Sequence, residues 1–204
     1  MPTPIEFYFD FISPFGYLGS IQIERVATKR GRVVDWRPIL LGVTVLKIMG
    51  MKPLPQTPLK GPWLDRDLER LSSLFDIPIR KHGLKGINSL AACRAFLWIK
   101  ARDPALAKRF GQAIFHRLWR RGEDITAVAD VVVEAVALGV DGGALAAALE
   151  TPEAKAALNS CVEAAVAKGV FGAPFFIADG EGFFGNDHVW MLEHWLEHHH
   201  FNPA

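Results

Sequence analysis

Within its first fourteen residues the chain passes from the period of a strand to the start signal of a helix, and this junction restricts the fold more than any other feature. In IEFYFDF, Ile5, Phe7, Phe9 and Phe11 alternate with Glu6, Tyr8 and Asp10, the period-two pattern of a strand whose aromatic side must be buried. Ser13 and Pro14 follow at once. A serine side chain accepts a hydrogen bond from the free N–H groups of a first helical turn, and proline has no N–H there to lose, so Ser-Pro starts a helix. The spacing predicts a helix from Pro14 to Lys29, stopped by Gly31, and then VVDWRPIL as a second strand. A helix-length crossover makes the two strands parallel, so the chain opens with a βαβ unit.

The proline-rich stretch 53–62 reads as an irregular surface loop that could border a site. Beyond it the pattern becomes helical, with helices expected over 63–75, 90–101, 105–121, 126–138 and 152–168 between Gly, Pro and Asp breaks. Leu90, Cys93 and Leu97 form one apolar stripe, and Val128, Val131, Val132, Ala135 and Val136 another. Then PFFIA and GFF, joined by Asp179-Gly180, read as an antiparallel hairpin, followed by a last helix over 187–198. Without the helical block the order is βαβ followed by ββα. That is the order of an α/β thioredoxin-like domain, formed by 1–50 and 169–204, with 51–168 as a large helical insertion domain.

Composition narrows the partners. The 23 basic and 22 acidic side chains are interspersed and leave a net charge of +1, so no electrostatic footprint for nucleic acid or an anionic membrane is expected. A chain of 204 residues, half of them hydrophobic, needs no staple to fold, because it buries roughly 70% of its unfolded surface. The only two cysteines, Cys93 and Cys161, lie in apolar helical contexts and read as buried thiols rather than a disulfide, metal or redox pair. MPTPIEF lacks the regions of a secretory signal, and no apolar run approaches the roughly 18 residues that span a bilayer. The expected location is the cytoplasm.

In this fold the reactive group sits where the first strand meets the first helix, because helix N-terminal N–H groups and the macrodipole stabilise negative charge there. That position is Ser13. Thiol oxidoreductases need a low-pKa cysteine at this point and a second three residues on, whereas this chain has Ser-Pro-Phe-Gly. Disulfide exchange by the protein itself is chemically excluded, and a serine hydroxyl can instead donate a hydrogen bond to a thiolate carried by a ligand. The plainer reading of Ser13 is a helix cap. Ala173-Pro174 opens the strand PFFIA, where proline is ordinarily a trans edge residue; a cis bond would present the Ala173 backbone to an extended peptide opposite Ser13. Asn186 and Asp187 begin the final helix, either as a cap or as a site where Asp187 holds a ligand ammonium. His82, His116, His188 and His194 have no metal-ligand spacing and read as surface or packing residues, and the histidines of the terminal LEHHHFNPA are set aside. No metal is expected.

These motifs together resemble the 2-hydroxychromene-2-carboxylate isomerases, relatives of the kappa-class glutathione transferases in the DsbA-like thioredoxin superfamily. The resemblance runs through FDFISPFGYLGS, RPILLGVTVLKIMGMKP, DRDLERLSSLFDIP, INSLAACRA, and the closing GVFGAPFFI and FFGND. It implies a glutathione-dependent cis-trans isomerase that interconverts a chromene carboxylate with an aromatic keto acid of the hydroxybenzylidenepyruvate type. It implies further that glutathione is the cofactor, that Ser13 contacts its sulfur and that Ala173 pairs with its cysteinyl backbone. Phe184, Gly185, Asn186 and Asp187 would surround the γ-glutamyl end. Lys47 would stand near both cofactor and substrate, Asn88 would contact substrate, and Arg94 matches the same pattern. A homodimer is implied as well. Two positions depart from the family: Met51 replaces an asparagine near the thiol, and Gly16 replaces the serine that ends SPxS.

Two other functions fit the same residues. A kappa-like transferase would conjugate glutathione to an electrophile, and a noncatalytic thioredoxin-like module would bind peptides along the edge beside Pro174. Of the aromatics Trp63, Phe75, Phe96, Trp98, Phe115 and Trp119, most are expected in the core, with one or two lining a pocket for a substrate ring.

Overall fold

The computed structural model describes residues 3–80 and 86–201, so His82 lies outside the described residues. The opening unit forms as its pattern dictates. Strand β1 (Ile5–Phe9), helix α1 (Pro14–Lys29) and strand β2 (Val34–Pro38) make a βαβ unit in which β1 and β2 are parallel and Phe7 lies opposite Trp36. A π-helical turn (Gly42–Ile48) and a short 3-10 turn (Leu54–Gln56) lead to α2 (Lys60–Phe75). The helical block continues with α3 (Leu90–Lys100), α4 (Pro104–His116), α5 (Val128–Val136), α6 (Gly142–Leu149) and α7 (Pro152–Ala167). Strands β3 (Phe175–Ala178) and β4 (Glu181–Phe184) form the hairpin, and a 3-10 turn (Asn186–His188) enters α8 (Val189–His198). The sheet order is β2-β1-β3-β4, with β3 antiparallel to both neighbours.

The central position of β1 explains its composition. Phe7, Phe9 and Phe11 are fully buried on one face, and Tyr8 is buried on the other against Ile39, Ala165 and Val170. The Phe9 ring lies 5.0 Å from Phe11, 5.3 Å from Trp36, 5.2 Å from Phe96 and 5.7 Å from Phe115. Three of these pairs meet edge-on and the fourth is tilted, and edge-on pairs add roughly 0.5–1.5 kcal/mol each beyond the area they bury. Strand β1 and helices α3 and α4 thus share one continuous hydrophobic core.

Four local expectations are corrected. Helix α6 lies in a segment read as a break, because Gly142-Gly143 masked an alanine-rich helix that Asp141 caps through Ala144 N–H and that buries Leu145 and Leu149. The expected helix 105–121 ends at His116 and continues as a π-helical turn (Arg117–Arg121). On α3 the buried arc is Ala91, Ala92, Cys93, Ala95, Phe96 and Ile99, while Leu90 is 39% exposed, since this helix packs against α4, α6, α7 and β2 rather than along one stripe. On α5, Val131 and Ala135 are buried and Val136 is exposed. Among the described residues, no helix is long and apolar enough to cross a membrane.

Candidate active site

Ser13 caps α1 with an extended backbone, and its position follows from the chemistry of the Ser-Pro start. The hydroxyl oxygen accepts from Gly16 N–H at 3.0 Å, and the hydroxyl donates to the Ala173 carbonyl at 3.0 Å. A serine has one proton to donate. In this state that proton rests on Ala173.

The Ala173-Pro174 peptide is cis. Pro174 packs directly on α1 at Gly19, where a Cβ would come within 2.8 Å of the proline ring. The Pro174 carbonyl accepts from Gly185 N–H at 2.9 Å, which brings the FFGND segment to the same end of the sheet. Gly185 has φ of 92°, a left-handed conformation, and a side chain there would collide with the Asp187 carboxylate. Asn186 is buried, and its Nδ2 has no hydrogen-bond partner among the described residues. Asp187 projects outward, with one carboxylate oxygen 3.5 Å from His188 Nδ1. Phe184 is half-exposed and packs on Phe171 with ring centroids 4.6 Å apart, over Gly172, where any Cβ would strike the Phe184 ring.

Behind Ser13 lies a group that the sequence reading did not single out. Asp10 is 1% exposed. Its carboxylate accepts from the Ser89 hydroxyl at 2.5 Å, Leu41 N–H at 2.8 Å and Ile12 N–H at 3.2 Å, and its backbone carbonyl accepts from Ser13 N–H at 3.0 Å. Burial pushes the carboxyl above the usual carboxylate range, and these three donors pull it back. The only signal was an acidic residue at the end of an apolar strand, next to Ser-Pro. Ser89 follows Asn88, whose Oδ1 accepts from Leu90 N–H at 3.2 Å and whose backbone N–H donates to the Thr126 hydroxyl at 3.2 Å.

Ser13 is thus bonded to Ala173, and Gly185, flanked by Phe184 and Asn186, to the next residue Pro174, while Asn88 is the chain neighbour of Ser89, which Asp10 bonds. Lys47 stands on the exposed side of the Gly42–Ile48 turn, whose start is anchored by the Leu41–Asp10 bond. Met51 is exposed, and Gly16 is buried and closely packed, since a Cβ there would lie 3.2 Å from both the Asp10 carbonyl oxygen and Ser13 Cβ. Of the block's aromatics, Phe96, Phe115 and Trp119 are buried, and Trp119 Nε1 donates to the Phe11 carbonyl at 2.8 Å. Trp63 is exposed, and Phe75 and Trp98 are partly buried against the core.

The chain's own thiols are unsuited to nucleophilic chemistry. Cys93 is buried and Cys161 partly so, and burial raises both thiol pKa values, which keeps them protonated. A shallow groove of about 630 Å³ between α1 and α4, lined by Glu24, Trp36 and Lys108 among others, includes none of the site residues above. Glu24 there already holds Trp36 Nε1 at 2.7 Å and Lys108 Nζ at 2.9 Å.

The chain is similar to known proteins over almost its whole length. The chain is 30% identical over 201 residues to a 2-hydroxychromene-2-carboxylate isomerase of Sphingobium xenophagum, covering 96% of this chain and 99% of that one. It is 29% identical over 208 residues to human glutathione S-transferase kappa 1, covering 96% and 92% of the two chains. A solved structure of 2-hydroxychromene-2-carboxylate isomerase superposes with a TM-score of 0.86 at 26% identity, over 96% of this chain and 95% of that one. The family model for the DSBA-like thioredoxin domain matches residues 4–197. With a βαβ–ββα frame, a serine in place of the reactive cysteine and a helical insertion, the chain belongs to the DSBA-like thioredoxin domain family, as a relative of the 2-hydroxychromene-2-carboxylate isomerases and kappa-class glutathione transferases.

Proposed function

We propose that this protein is a glutathione-dependent isomerase that interconverts a chromene carboxylate and a trans aromatic keto acid. The observation that carries the reading is the Ser13 hydroxyl at the N-terminus of a helix of 16 residues, in a chain whose own thiols, one buried and one partly buried, are held protonated. Sulfur chemistry at this position must come with a ligand.

The residues present fit glutathione. Asn186 Nδ2 is a buried donor without a partner among the described residues, Gly185 keeps the adjacent backbone clear, and the exposed Asp187 carboxylate, with only His188 Nδ1 at 3.5 Å beside it, can meet an ammonium. When bound, glutathione supplies a thiol that adds, as thiolate, to the carbon conjugated with the ketone, so that the former double bond rotates before the sulfur leaves.

The protein's task is to hold negative charge on that sulfur. Lowering a thiol pKa from about 8.5 by two units needs roughly 2.7 kcal/mol of preferential anion stabilisation. The Ser13 hydroxyl and the first-turn N–H groups of α1 supply donors of the right kind. The Ser13 proton must first leave Ala173, and the carbonyl it leaves requires another donor. A peptide N–H from the ligand, paired with Ala173, meets that need and frees Ser13 at the moment the thiol arrives. In this reading the N–H groups of Asn88 donate to the oxygens of the aromatic acid, and Lys47 supplies a cation.

This exchange predicts selectivity among thiols. The kcat/KM with glutathione should exceed that with 2-mercaptoethanol, which has no peptide N–H, by about 10²-fold, near the upper value of one charge-assisted hydrogen bond plus binding contacts. Equal values for the two thiols would sink the exchange.

The isomerase reading itself is tested by offering a chromene carboxylate and a halogenated nitroaromatic in parallel with glutathione. Isomerisation with glutathione returned unconsumed is expected. Consumption of glutathione with the nitroaromatic alone would establish the transferase instead. A melting temperature unmoved by millimolar glutathione would favour a peptide-binding module.

A further inference from the structure

Ser89 stands at the N-cap of α3, the place where a serine hydroxyl ordinarily accepts from the first-turn N–H groups, but here it makes no capping bond. Asn88 Oδ1 receives Leu90 N–H instead, and the Ser89 hydroxyl is turned to Asp10 at 2.5 Å, across 79 residues of sequence. The helix forgoes its ordinary cap to make this contact.

Asp10 is the meeting point of three segments. Ser13, bonded to its backbone, caps α1; Leu41, bonded to Oδ2, precedes the turn that carries Lys47; Ser89, bonded to Oδ1, follows Asn88. A buried carboxylate is costly unless donors surround it, so Asp10 is satisfied only when all three segments stand in one relative placement. A carboxamide cannot replace it, because asparagine has one acceptor oxygen and would turn an N–H pair toward a backbone donor.

We propose that Asp10, acting through Ser89, is a positioning residue that sets the separation between Ser13, where the thiol is held, and Asn88, where the aromatic acid is held. The inference rests on the isomerase reading for what occupies the Asn88 side. It explains why a buried carboxylate occupied by three donors of the protein itself sits behind Ser13. Misplacement of a reacting carbon by about 1 Å is enough to cost roughly 10²-fold in rate.

The test compares Ser89→Ala, Asp10→Asn and the double variant, measuring glutathione affinity by calorimetry beside KM and kcat for the chromene carboxylate. Ser89→Ala keeps both backbone donors on Asp10 and is expected to leave glutathione Kd within about twofold while lowering kcat/KM for the aromatic acid by about tenfold or more. The double variant should be no worse than Asp10→Asn alone, since both act through one bond. Glutathione affinity falling in step with turnover, additive losses, or full activity in Ser89→Ala would each overturn the proposal. Where Asp10→Asn does not fold, the Ser89→Ala split decides alone. A wild-type protein inactive on the chromene carboxylate removes the isomerase reading, and the same selective loss is then expected, or refuted, with the nitroaromatic.

Discussion

Replacing Ser13 by alanine is expected to lower kcat for the glutathione-dependent reaction by about 10²-fold, the usual effect of deleting one donor aimed at a developing anion. The change removes a single oxygen whose two hydrogen bonds, from Gly16 N–H and to the Ala173 carbonyl, are both 3.0 Å. The stability loss is that of one N-cap, roughly 1 kcal/mol, plus about 1–3 kcal/mol for the Ala173 carbonyl left without its donor, less than the stability of a typical domain, so the folded protein remains available for assay. The pKa of the bound thiol, read from its ultraviolet thiolate absorbance against pH, should rise toward the free value of about 8.5 in the variant. The preference for glutathione over 2-mercaptoethanol should also shrink, because no hydroxyl remains to be released. An unchanged thiol pKa together with unchanged kcat would remove Ser13 from the mechanism and leave it a helix cap.

The second large effect is expected at Gly19. A methyl group there would lie 2.8 and 2.9 Å from Pro174 Cβ and Cγ and 3.3 Å from the Phe176 ring. A proline ring cannot rotate away, and Phe176 is fully buried, so α1 must shift as a body. Overpacking of this kind costs about 1–3 kcal/mol, against about 1 kcal/mol gained by alanine over glycine in a helix. The net cost is then as much as about 2 kcal/mol, and at roughly 2–4 °C per kcal/mol for a chain of this size Gly19→Ala should lower Tm by up to about 8 °C. Because the shift separates α1 from Ala173, glutathione turnover should fall as well. Gly42→Ala is the matching control, since nothing lies within 4 Å of that Cβ, and it should leave Tm unchanged or raised. A Gly19→Ala protein as stable and active as the parent would show that α1 and Pro174 are not closely packed in solution.

The parts of the site that were legible in the sequence are those set by local chemistry. Ser-Pro specifies a cap whatever surrounds it, Asp179-Gly180 specifies a hairpin turn, and the alternation from Ile5 to Phe11 specifies a strand; all three form where their residues predict. The corrections arise where burial depends on neighbours. Leu90 and Val136 follow an apolar period yet face outward, because the number of elements packed around α3 and α5 decides which arc is covered. Helix α6 was hidden by two glycines, whose low propensity outweighs the alanines in a sequence reading but not once Leu145 and Leu149 are buried. Asp10 and Ser89 could not be paired in advance, since nothing local joins residues so far apart in the chain.

By itself, the sequence determined that the chain opens with a βαβ unit, that a serine stands at the helix start where this fold places a thiol, and that the chain's two cysteines lie elsewhere. These follow from short-range rules of capping, periodicity and residue chemistry. The tertiary structure decided that the Ser13 proton rests on Ala173 and that Asp10 ties Ser89, the neighbour of Asn88, to the same centre. Each of these is a hydrogen bond between segments far apart in the chain. Its geometry exists only after the sheet has brought β1 and β3 together and the aromatic core has seated α3 against them.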